Sequence, residues 1–174
     1  EGPLPVLLRD LAADKQAEVV YDNAAAEEII AIDAAAAETI RNMATNLECA
    51  YLVGLSQMDF EIAVEYAKDR VQFGRPIGSF QAIQHKAADM VTDVDGMRFI
   101  MYKAAWATSE NEDSQDMDTA MAKAWCSDAS RRVVAHGQQI HGGIGFTKDY
   151  IIQLFFRRQK RAEPAYLRQY FAQA

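Results

Sequence analysis

Two arginines, two glycines and two phenylalanines lie within the short stretch "RVQFGRPIGSF", residues 70–80. A guanidinium held at the end of a helix offers a planar pair of N–H donors to a phosphate or a carboxylate. Arg70 is therefore a candidate anion ligand, and Phe73 and Gln81 are placed to frame a ring or a nucleotide. The alternative is a plain helix end in which Gly74 forms the left-handed cap, and the spacing alone leaves both interpretations open.

A second group of glycines lies in "QQIHGGIGFT", residues 138–147. Gly142, Gly143 and Gly145 exceed what a helix end requires, and glycines let backbone amides approach a phosphate or a flat ring closely. The pattern is not the dinucleotide-binding fingerprint, which follows a strand and opens a helix. His141 is predicted to be a packed or capping side chain, because no serine, cysteine or second histidine is placed to complete a catalytic relay.

A run of cations, "RRQKR", occupies residues 157–161. Such a run is either the solvated face of a helix near its C-terminus or a contact for an anionic ligand, and both interpretations stay open. The two cysteines, Cys49 and Cys126, lack metal-ligand spacing and are predicted to be reduced core or boundary residues. The sequence therefore predicts no metal site.

The 174 residues carry a formal net charge of −7, and 50% of them are hydrophobic. That acidic balance argues against a general nucleic-acid binder, which needs a basic surface. No apolar run reaches the roughly 18 residues of a membrane span, and the first residues lack a signal-peptide pattern. We therefore expect a globular cytoplasmic protein with one packed core.

The apolar spacing predicts three long helices, from Asp33 as N-cap to Val71, from a Ser79 cap to about Thr108, and from Asp116 to Ile140. Two shorter helical pieces follow, over "IIQLFFRRQKR" and "PAYLRQYFAQA". The run "AEVVYDNA" near the start would form one or two strands. The expected fold is mainly α, an antiparallel four-helix-type bundle with a short N-terminal β segment. The side chains predicted to be buried are Phe80, Ile83, Met90, Val94, Met97, Met101, Trp106, Met121, Ala124, Trp125, Ala129 and Val133.

The two glycine-containing segments together resemble one known family. The stretch "YAKDRVQFGRPIGSFQAIQHKAADM", followed further along by "QIHGGIGFT", closely resembles the acyl-CoA dehydrogenase family of flavoproteins, from about Ala44 to the C-terminus. The resemblance implies that residues 33–174 form the family's C-terminal helical bundle domain and that residues 1–32 form the end of a β domain and a linker. Full members also carry an N-terminal helical domain and a whole β domain, so the chain is expected to be a fragment, a processed piece or a separately encoded half.

The resemblance also implies the cofactor FAD and a reaction. Family members remove the α-proton of an acyl-CoA thioester and transfer the β-hydrogen to flavin as hydride, which yields the 2-enoyl-CoA. The implied partners are an acyl-CoA, an electron-transfer flavoprotein as acceptor, and a homologous subunit in a homo- or hetero-oligomer, expected to be a tetramer. The residues that match positions contacting an FAD carried mainly by a neighbouring subunit are Arg70, Gln72, Phe73, Gln81, Gln139, Gly142 and Gly143.

The catalytic base is the part of the family pattern that is missing. Known members use a carboxylate at one of two positions, and the resemblance places Tyr166 at one and Ala44 at the other. Glu48, Asp149 and Glu163 are the remaining weak candidates, so the catalytic residue is unknown. We expect a dehydrogenase chain that is one subunit of a hetero-oligomer, and the alternative is a non-catalytic structural subunit that completes a partner's FAD site.

Overall fold

The computed structural model describes residues 5–13, 15–22 and 24–163. Most of these residues are helical. The helices and strands are β1 Val6–Leu8, β2 Gln16–Glu18, α1 Ala34–Asp69, β3 Val71–Gln72, β4 Arg75–Pro76, α2 Gln81–Ser109, α3 Gln115–His141 and α4 Ile152–Ala162, with 3₁₀ turns at Ile77–Ser79 and Gly142–Phe146.

Buried polar contacts show how the first three helices run. The Asn46 amide donates to the Thr108 hydroxyl over 2.9 Å, which places the start of α1 beside the end of α2. The Asn42 amide donates to Asp116 over 2.6 Å, which places the same end of α1 beside the start of α3. Consecutive helices are therefore antiparallel, and α1 is parallel to α3.

The fourth helix completes an up-down-up-down bundle. Lys123, early in α3, donates from Nζ to the carbonyl oxygen of Ala162 at the end of α4 over 2.9 Å. Lys123 is fully buried, and a cation is well placed at the C-terminus of a helix, where free carbonyl groups gather. The predicted helical bundle is confirmed.

The helix ends follow the sequence with one correction. Asp33 is the N-cap of α1, and its side chain accepts a hydrogen bond from the amide of Ala36 over 2.7 Å. The cap of α2 is Phe80 rather than Ser79. The Ser79 hydroxyl instead donates to the Pro76 carbonyl over 2.7 Å, because a 3₁₀ turn precedes the helix.

The core is built mainly from small and medium side chains. Met90, Val94, Met97 and Met101 of α2 are buried as predicted, as are Ala129 and Val133 of α3. Phe80 and Ile83 are only half-buried, because they lie at the end of the bundle, where α2 begins.

The prediction that both tryptophans belong to the core is wrong. Trp106 is 54% exposed, Trp125 is 45% exposed, and Met121 is 49% exposed. Ala124, also predicted to be buried, is exposed. Smaller side chains occupy many buried positions of α2 and α3, among them Ala104, Ala107, Ala122 and Ala129. Trp125 instead lies across the outer face of α2, where its Nε1 would be 3.3 Å from a Cβ placed on Gly96.

The N-terminal segment forms a small antiparallel hairpin in which Val6 pairs with Glu18. Two strands were within the prediction, but β2 includes only the first two residues of "AEVVYDNA", and Val19 to Tyr21 lie outside it. The division of the chain after residue 32 stays a prediction. The helix predicted over "PAYLRQYFAQA" and the position of Tyr166 lie outside the described residues. Within the described ranges, no helix is both long enough and apolar enough to cross a membrane.

Candidate functional site

The end of α1 leads into a tight hairpin that exposes an aromatic ring. Val71 pairs with Pro76 and Gln72 with Arg75, which leaves Phe73 and Gly74 as the two turn residues. Both have positive φ, 54° and 78°, the combination of a type I′ turn. Gly74 therefore serves this hairpin, and the alternative in which it caps the helix is wrong, because α1 already ends at Asp69.

Phe73 is an unusual residue for such a turn. A left-handed conformation costs a residue with a side chain about 1–2 kcal/mol, and asparagine or glycine is the ordinary choice. The Phe73 side chain is nevertheless 92% exposed, and its one ring contact within the described residues is an edge-on approach to Phe80 with centroids 6.1 Å apart. Strain of this kind clusters at binding sites. The structure thus marks Phe73 as a candidate contact for something outside this chain.

The two arginines of the hairpin have different surroundings. The guanidinium of Arg75 lies over the Phe80 ring, 4.1 Å from its centroid. The backbone of Arg70 is fixed on both sides, since its N–H donates to Tyr66 and its carbonyl accepts from Ile77. The Arg70 side chain is exposed, and the described part of the chain provides no ion-pair partner for it. Arg70 is therefore the available cation.

The polar side chains predicted beside Arg70 are also on the surface. Gln81 is the first residue of α2 and is exposed. The amide of Gln72 donates to the carbonyl of Val71 over 2.6 Å, which holds it against its own strand. The structure thus brings Arg70, Gln72, Phe73 and Gln81 to one end of the bundle.

The three glycines after α3 differ in whether the fold requires them. Gly142 caps α3 with a φ of 62°, a conformation that other residues rarely adopt. Gly145 is needed for packing, because a Cβ there would lie 2.6 Å from Nε2 of Gln138. Gly143 has an ordinary φ, and an added Cβ would meet nothing within 4 Å. Neither conformation nor packing within the described chain requires a glycine at 143.

The open space beside Gly143 belongs to a cavity of about 620 Å³. Its walls come from the end of α3, the glycine turn and α4, and they include Gln139, Gly142, Phe156 and Arg157. A separate cleft of about 610 Å³ lies beside Arg70 and Tyr66 at the end of α1. The two predicted ligand-contacting segments therefore line two hollows at the same end of the bundle.

The two segments are joined by stacked rings that the sequence analysis did not single out as a pair. Tyr66 of α1 and His141 of α3 stack with centroids 4.3 Å apart, and Tyr150 meets Tyr66 edge-on at 6.0 Å. His141 is 4% exposed, as expected of a packed histidine, and burial lowers its pKa. The sequence signal that could have revealed this stack was one aromatic side chain in the last turn of each of two long helices.

A buried acid next to this end was missed entirely. Asp59 of α1 is fully buried, and neither of its carboxyl oxygens has a hydrogen-bond partner within the described residues. Burial raises the pKa of Asp59 to about 8, so the group is largely neutral at pH 7. It packs on Gly137 of α3 so closely that a Cβ on that glycine would lie 2.0 Å from Oδ2. Its helical spacing from the buried Leu52 and Ala63 could have revealed it.

The opposite half of the bundle holds the expected base position at Ala44. Ala44 and Glu48 line a cleft of about 290 Å³ together with Leu47, Tyr51 and Arg161. Glu48 is half-buried and lines the same cleft as Ala44, the predicted base position that lacks a carboxylate. Of the three weak candidates, Glu48 is thus the one that lines the cleft at Ala44.

The other two candidates fare worse. The Oε2 atom of Glu163 accepts hydrogen bonds from Gln159 over 3.2 Å and from Lys160 over 3.1 Å, both in α4. Its Oε1 atom pairs with Arg131 of α3 at 3.8 Å, which makes Glu163 part of the junction between α3 and α4. Asp149 is exposed in the segment before α4. Neither lines the cleft at Ala44.

The two halves of the candidate site are far apart along α1. Ala44 and Arg70 are separated by 26 residues, which at a rise of 1.5 Å per residue is about 39 Å along the helix axis. That distance exceeds the length of an extended flavin dinucleotide. One bound flavin therefore cannot contact Arg70 and also react beside Ala44 of the same chain.

The cationic run on α4 is largely occupied by contacts with the N-terminal hairpin. Arg157 donates from Nε to the carbonyl of Leu11 over 2.5 Å, and Arg161 pairs with Asp10 at 3.5 Å. The run is therefore not a solvated face throughout. Within the described ranges, no cluster of three or more histidine, cysteine or acidic side chains could hold a metal ion, and both cysteines are free and buried.

The bundle and its two turns define a helical domain with two hollows at one end, and comparison with known proteins assigns the family. Residues 34–165 match the family model "Acyl-CoA dehydrogenase, C-terminal domain". The chain therefore belongs to the acyl-CoA dehydrogenase family, whose members are FAD-dependent oxidoreductases.

Individual relatives agree with this assignment. The probable acyl-CoA dehydrogenase YngJ of Bacillus subtilis is 40% identical over 114 residues, which cover 66% of this chain and 30% of YngJ. A chain in the crystal structure of the ChsE4-ChsE5 complex from Mycobacterium tuberculosis superposes with a TM-score of 0.80 at 30% identity, covering 94% of this chain and 45% of that one. A steroid acyl-CoA dehydrogenase variant, Tcur3481-Tcur3483, gives a TM-score of 0.82 at 30% identity, over 92% of this chain and 44% of its own. The chain spans about a third of the length of the curated relatives it matches.

Proposed function

We propose that this chain forms one wall of an FAD site that it shares with a second acyl-CoA dehydrogenase chain. The observation that carries this role is Gly143, where the described part of the chain requires no glycine and leaves the space beside the backbone open. A ligand that approaches the main chain there accounts for the residue. The strained, exposed Phe73 and the unpaired Arg70 support the same role at the neighbouring turn.

Each residue would make a different contact. The Arg70 guanidinium would donate to the pyrophosphate, Phe73 would cover a flat part of the cofactor, and Gln72 and Gln81 would donate or accept at its polar edge. At the other turn, Gln139 and the backbone of Gly142 and Gly143 would complete the wall. The flavin supplies hydride acceptance, and this chain supplies binding and orientation.

The reaction we propose for the assembly is the α,β-dehydrogenation of an acyl-CoA to the 2-enoyl-CoA. Electrons would then pass to an electron-transfer flavoprotein. The cleft at Ala44 would border the acyl-CoA, and Glu48 is the carboxylate of this chain nearest that position in sequence. The thioester α-proton needs a base within hydrogen-bond reach, and alanine cannot provide one.

The partner we propose is a homologous chain that carries the base, in a hetero-oligomer, expected to be a tetramer. Two observations support it: the separation of about 39 Å along α1 between Ala44 and Arg70, and the absence of a carboxylate at position 44. The similar ChsE4-ChsE5 structure is itself a complex of two differently named chains. The cytoplasm stays the expected location for such an assembly.

Substitution of Gly143 tests the shared wall. Gly143→Ala should leave the thermal midpoint unchanged, because the added methyl group meets nothing in the chain, while FAD retention by the purified assembly falls. Gly145→Ala is the matched control, since it should lower the midpoint by overpacking against Gln138. Unchanged FAD affinity in Gly143→Ala would remove the main support for a cofactor wall.

A second candidate is a structural subunit that completes a partner's flavin site and turns over nothing itself. The alanine at position 44 favours it. Glu48→Gln tests whether this chain supplies a base of its own, because a single positioned base contributes about 10²–10⁴-fold to the rate. A loss of that size would place the base on this chain and overturn both the structural role and the base on the partner, whereas an unchanged rate with the partner present agrees with a base carried by the partner.

A further inference from the structure

The contact that joins the two turns is the stack of Tyr66 on His141. Their ring centroids are 4.3 Å apart, and their planes are inclined by 23°. Tyr66 lies one helical turn before Arg70, whose N–H donates to the Tyr66 carbonyl over 2.9 Å. His141 directly precedes Gly142. One pair of rings therefore links the backbone segments that carry Arg70 and the glycine turn.

The His141 ring is itself held in one orientation. Its Nδ1 lies 2.8 Å from the carbonyl oxygen of Gly137, and because a carbonyl only accepts, Nδ1 carries the hydrogen. The remaining nitrogen, Nε2, is buried and has no partner within the described residues. Protonation would create a buried N–H with no acceptor, and burial accordingly lowers the pKa of His141. The ring is thus a neutral, flat spacer.

A third ring completes the arrangement. Tyr150, just before α4, lies edge-on to Tyr66 at 6.0 Å and 5.3 Å from the His141 ring. The start of α4, the end of α1 and the end of α3 therefore meet around His141. Rings packed in this way resist sliding, because each has a preferred distance and angle to the next.

We propose that His141 is a positioning residue that sets the separation between Arg70 and the Gly142–Gly143 backbone through its stack on Tyr66. This role rests on the flavin-binding role proposed above. Neither ring contacts the flavin, and both act through the turns they support. A cofactor that one chain contacts in two places binds well only when both contacts have the right spacing. Loss of the stack should therefore weaken FAD binding while the bundle remains folded.

The test uses the full-length protein, purified with whatever subunit it assembles with, stripped of flavin and titrated with FAD by flavin fluorescence. Each variant is measured well below its own thermal midpoint. We expect His141→Leu to raise the FAD dissociation constant about fivefold, the scale of one aromatic pair. Tyr66→Leu should act similarly, and Tyr66→Phe, which keeps the ring, should match the wild type.

Two further variants separate the ring from its hydrogen bond. His141→Phe keeps a flat ring and loses the donor to Gly137, whereas His141→Asn keeps a donor and loses the ring. A spacer role predicts that His141→Phe retains more FAD affinity than His141→Asn. The double variant Tyr66→Leu with His141→Leu should have an FAD dissociation constant no higher than that of the weaker-binding single variant, because both substitutions remove the same contact. Additive losses would overturn the proposal.

The control for general destabilisation is Met97→Ala, in a part of the core that includes neither ring. Met97→Ala should lower the thermal midpoint without raising the FAD dissociation constant. An equal rise in Met97→Ala and His141→Leu would make His141 merely structural. A second readout needs no flavin: amide exchange of Gly142–Phe146 should accelerate in His141→Leu and stay unchanged in Met97→Ala.

Arg70→Ala distinguishes this inference from the function on which it depends. If Arg70→Ala weakens FAD binding and His141→Leu does not, only the positioning role is wrong. If neither variant changes FAD binding, the cofactor wall itself is wrong. Should His141→Leu fail to fold, His141→Phe and Tyr66→Leu decide the matter by the same titration.

Discussion

The two ends of the bundle differ in what they expose. At the end with Phe73 and Gly143, an aromatic ring is exposed on a strained turn and the backbone faces open space. At the opposite end, several polar groups pair with one another: Lys123 caps α4, and Glu163 accepts from Gln159 and Lys160. The first end therefore presents groups suited to contact with another molecule, whereas these polar groups of the second end hold the fold together.

This difference agrees with the cofactor-binding role proposed above. Groups suited to cofactor contact are present at the first end, whereas the residue at the predicted base position is an alanine. Phe73 adopts its left-handed turn at an energetic cost that asparagine would lower. Substitutions that change one end of the bundle at a time test this contrast.

The largest effect on the free energy of unfolding is expected where α1 and α3 touch, at Asp59 and Gly137. Gly137→Ala places a methyl carbon 2.0 Å from Oδ2 of Asp59, and we expect a loss of about 3 kcal/mol in the free energy of unfolding. Urea unfolding followed by circular dichroism measures it. Gly54→Ala is the matched control in α1, where a Cβ meets nothing, and it should stabilise the protein by about 0.5–1 kcal/mol. Equal behaviour of the two variants would show that the Asp59 contact is not tight.

Next in size is the effect of Arg70 on flavin binding. Arg70→Ala should weaken FAD binding by about 1.5–3 kcal/mol, because a charge-assisted contact is lost. Lys68→Ala is the control, an exposed cation two residues away that already pairs with Glu65 at 2.6 Å. Titration of the flavin-free assembly with FAD compares them. Equal losses would attribute the effect to the local positive charge rather than to a specific phosphate contact.

The buried acid predicts a pH dependence of stability. Folding holds Asp59 protonated, with a pKa of about 8, while the unfolded chain ionises near 3.8, so stability falls as pH rises between these values. The slope is at most roughly 1.4 kcal/mol per pH unit. His141 and His136, whose pKa values are lowered by burial, act oppositely, costing stability as pH falls below 6.5. Urea midpoints between pH 6.5 and 8 therefore isolate Asp59, and Asp59→Asn should flatten the profile there.

The smallest effect is expected for Phe73→Asn, which should raise stability and weaken FAD binding. Phe73→Asn relieves the left-handed strain and should raise the unfolding free energy by about 1 kcal/mol. The same change removes an exposed ring and should weaken FAD binding. Differential scanning calorimetry and FAD titration give the two numbers. A variant that gains stability and keeps its full FAD affinity would show that the exposed ring has no part in flavin binding.

Much of the fold could be predicted because local rules were sufficient. Asp33 caps α1 because an aspartate directly before a helix accepts a hydrogen bond from the third helical amide, whatever the rest of the fold. The buried methionines of α2 follow the helical period, which assigns side chains to faces without reference to neighbours. The glycines at 142 and 143 were noticed as more than a helix end requires.

What the sequence could not determine depends on which side chains meet between the helices. Trp106 and Trp125 have the spacing and size of core residues, yet both are about half exposed, because the packed bundle decides which face of each helix meets its neighbours. The partners of Tyr66 and Asp59 lie more than seventy positions away in the chain, at His141 and Gly137, and no local period specifies such a pairing. Only the packed bundle decides these contacts, because side chains distant in sequence meet at distances that the whole arrangement of helices sets.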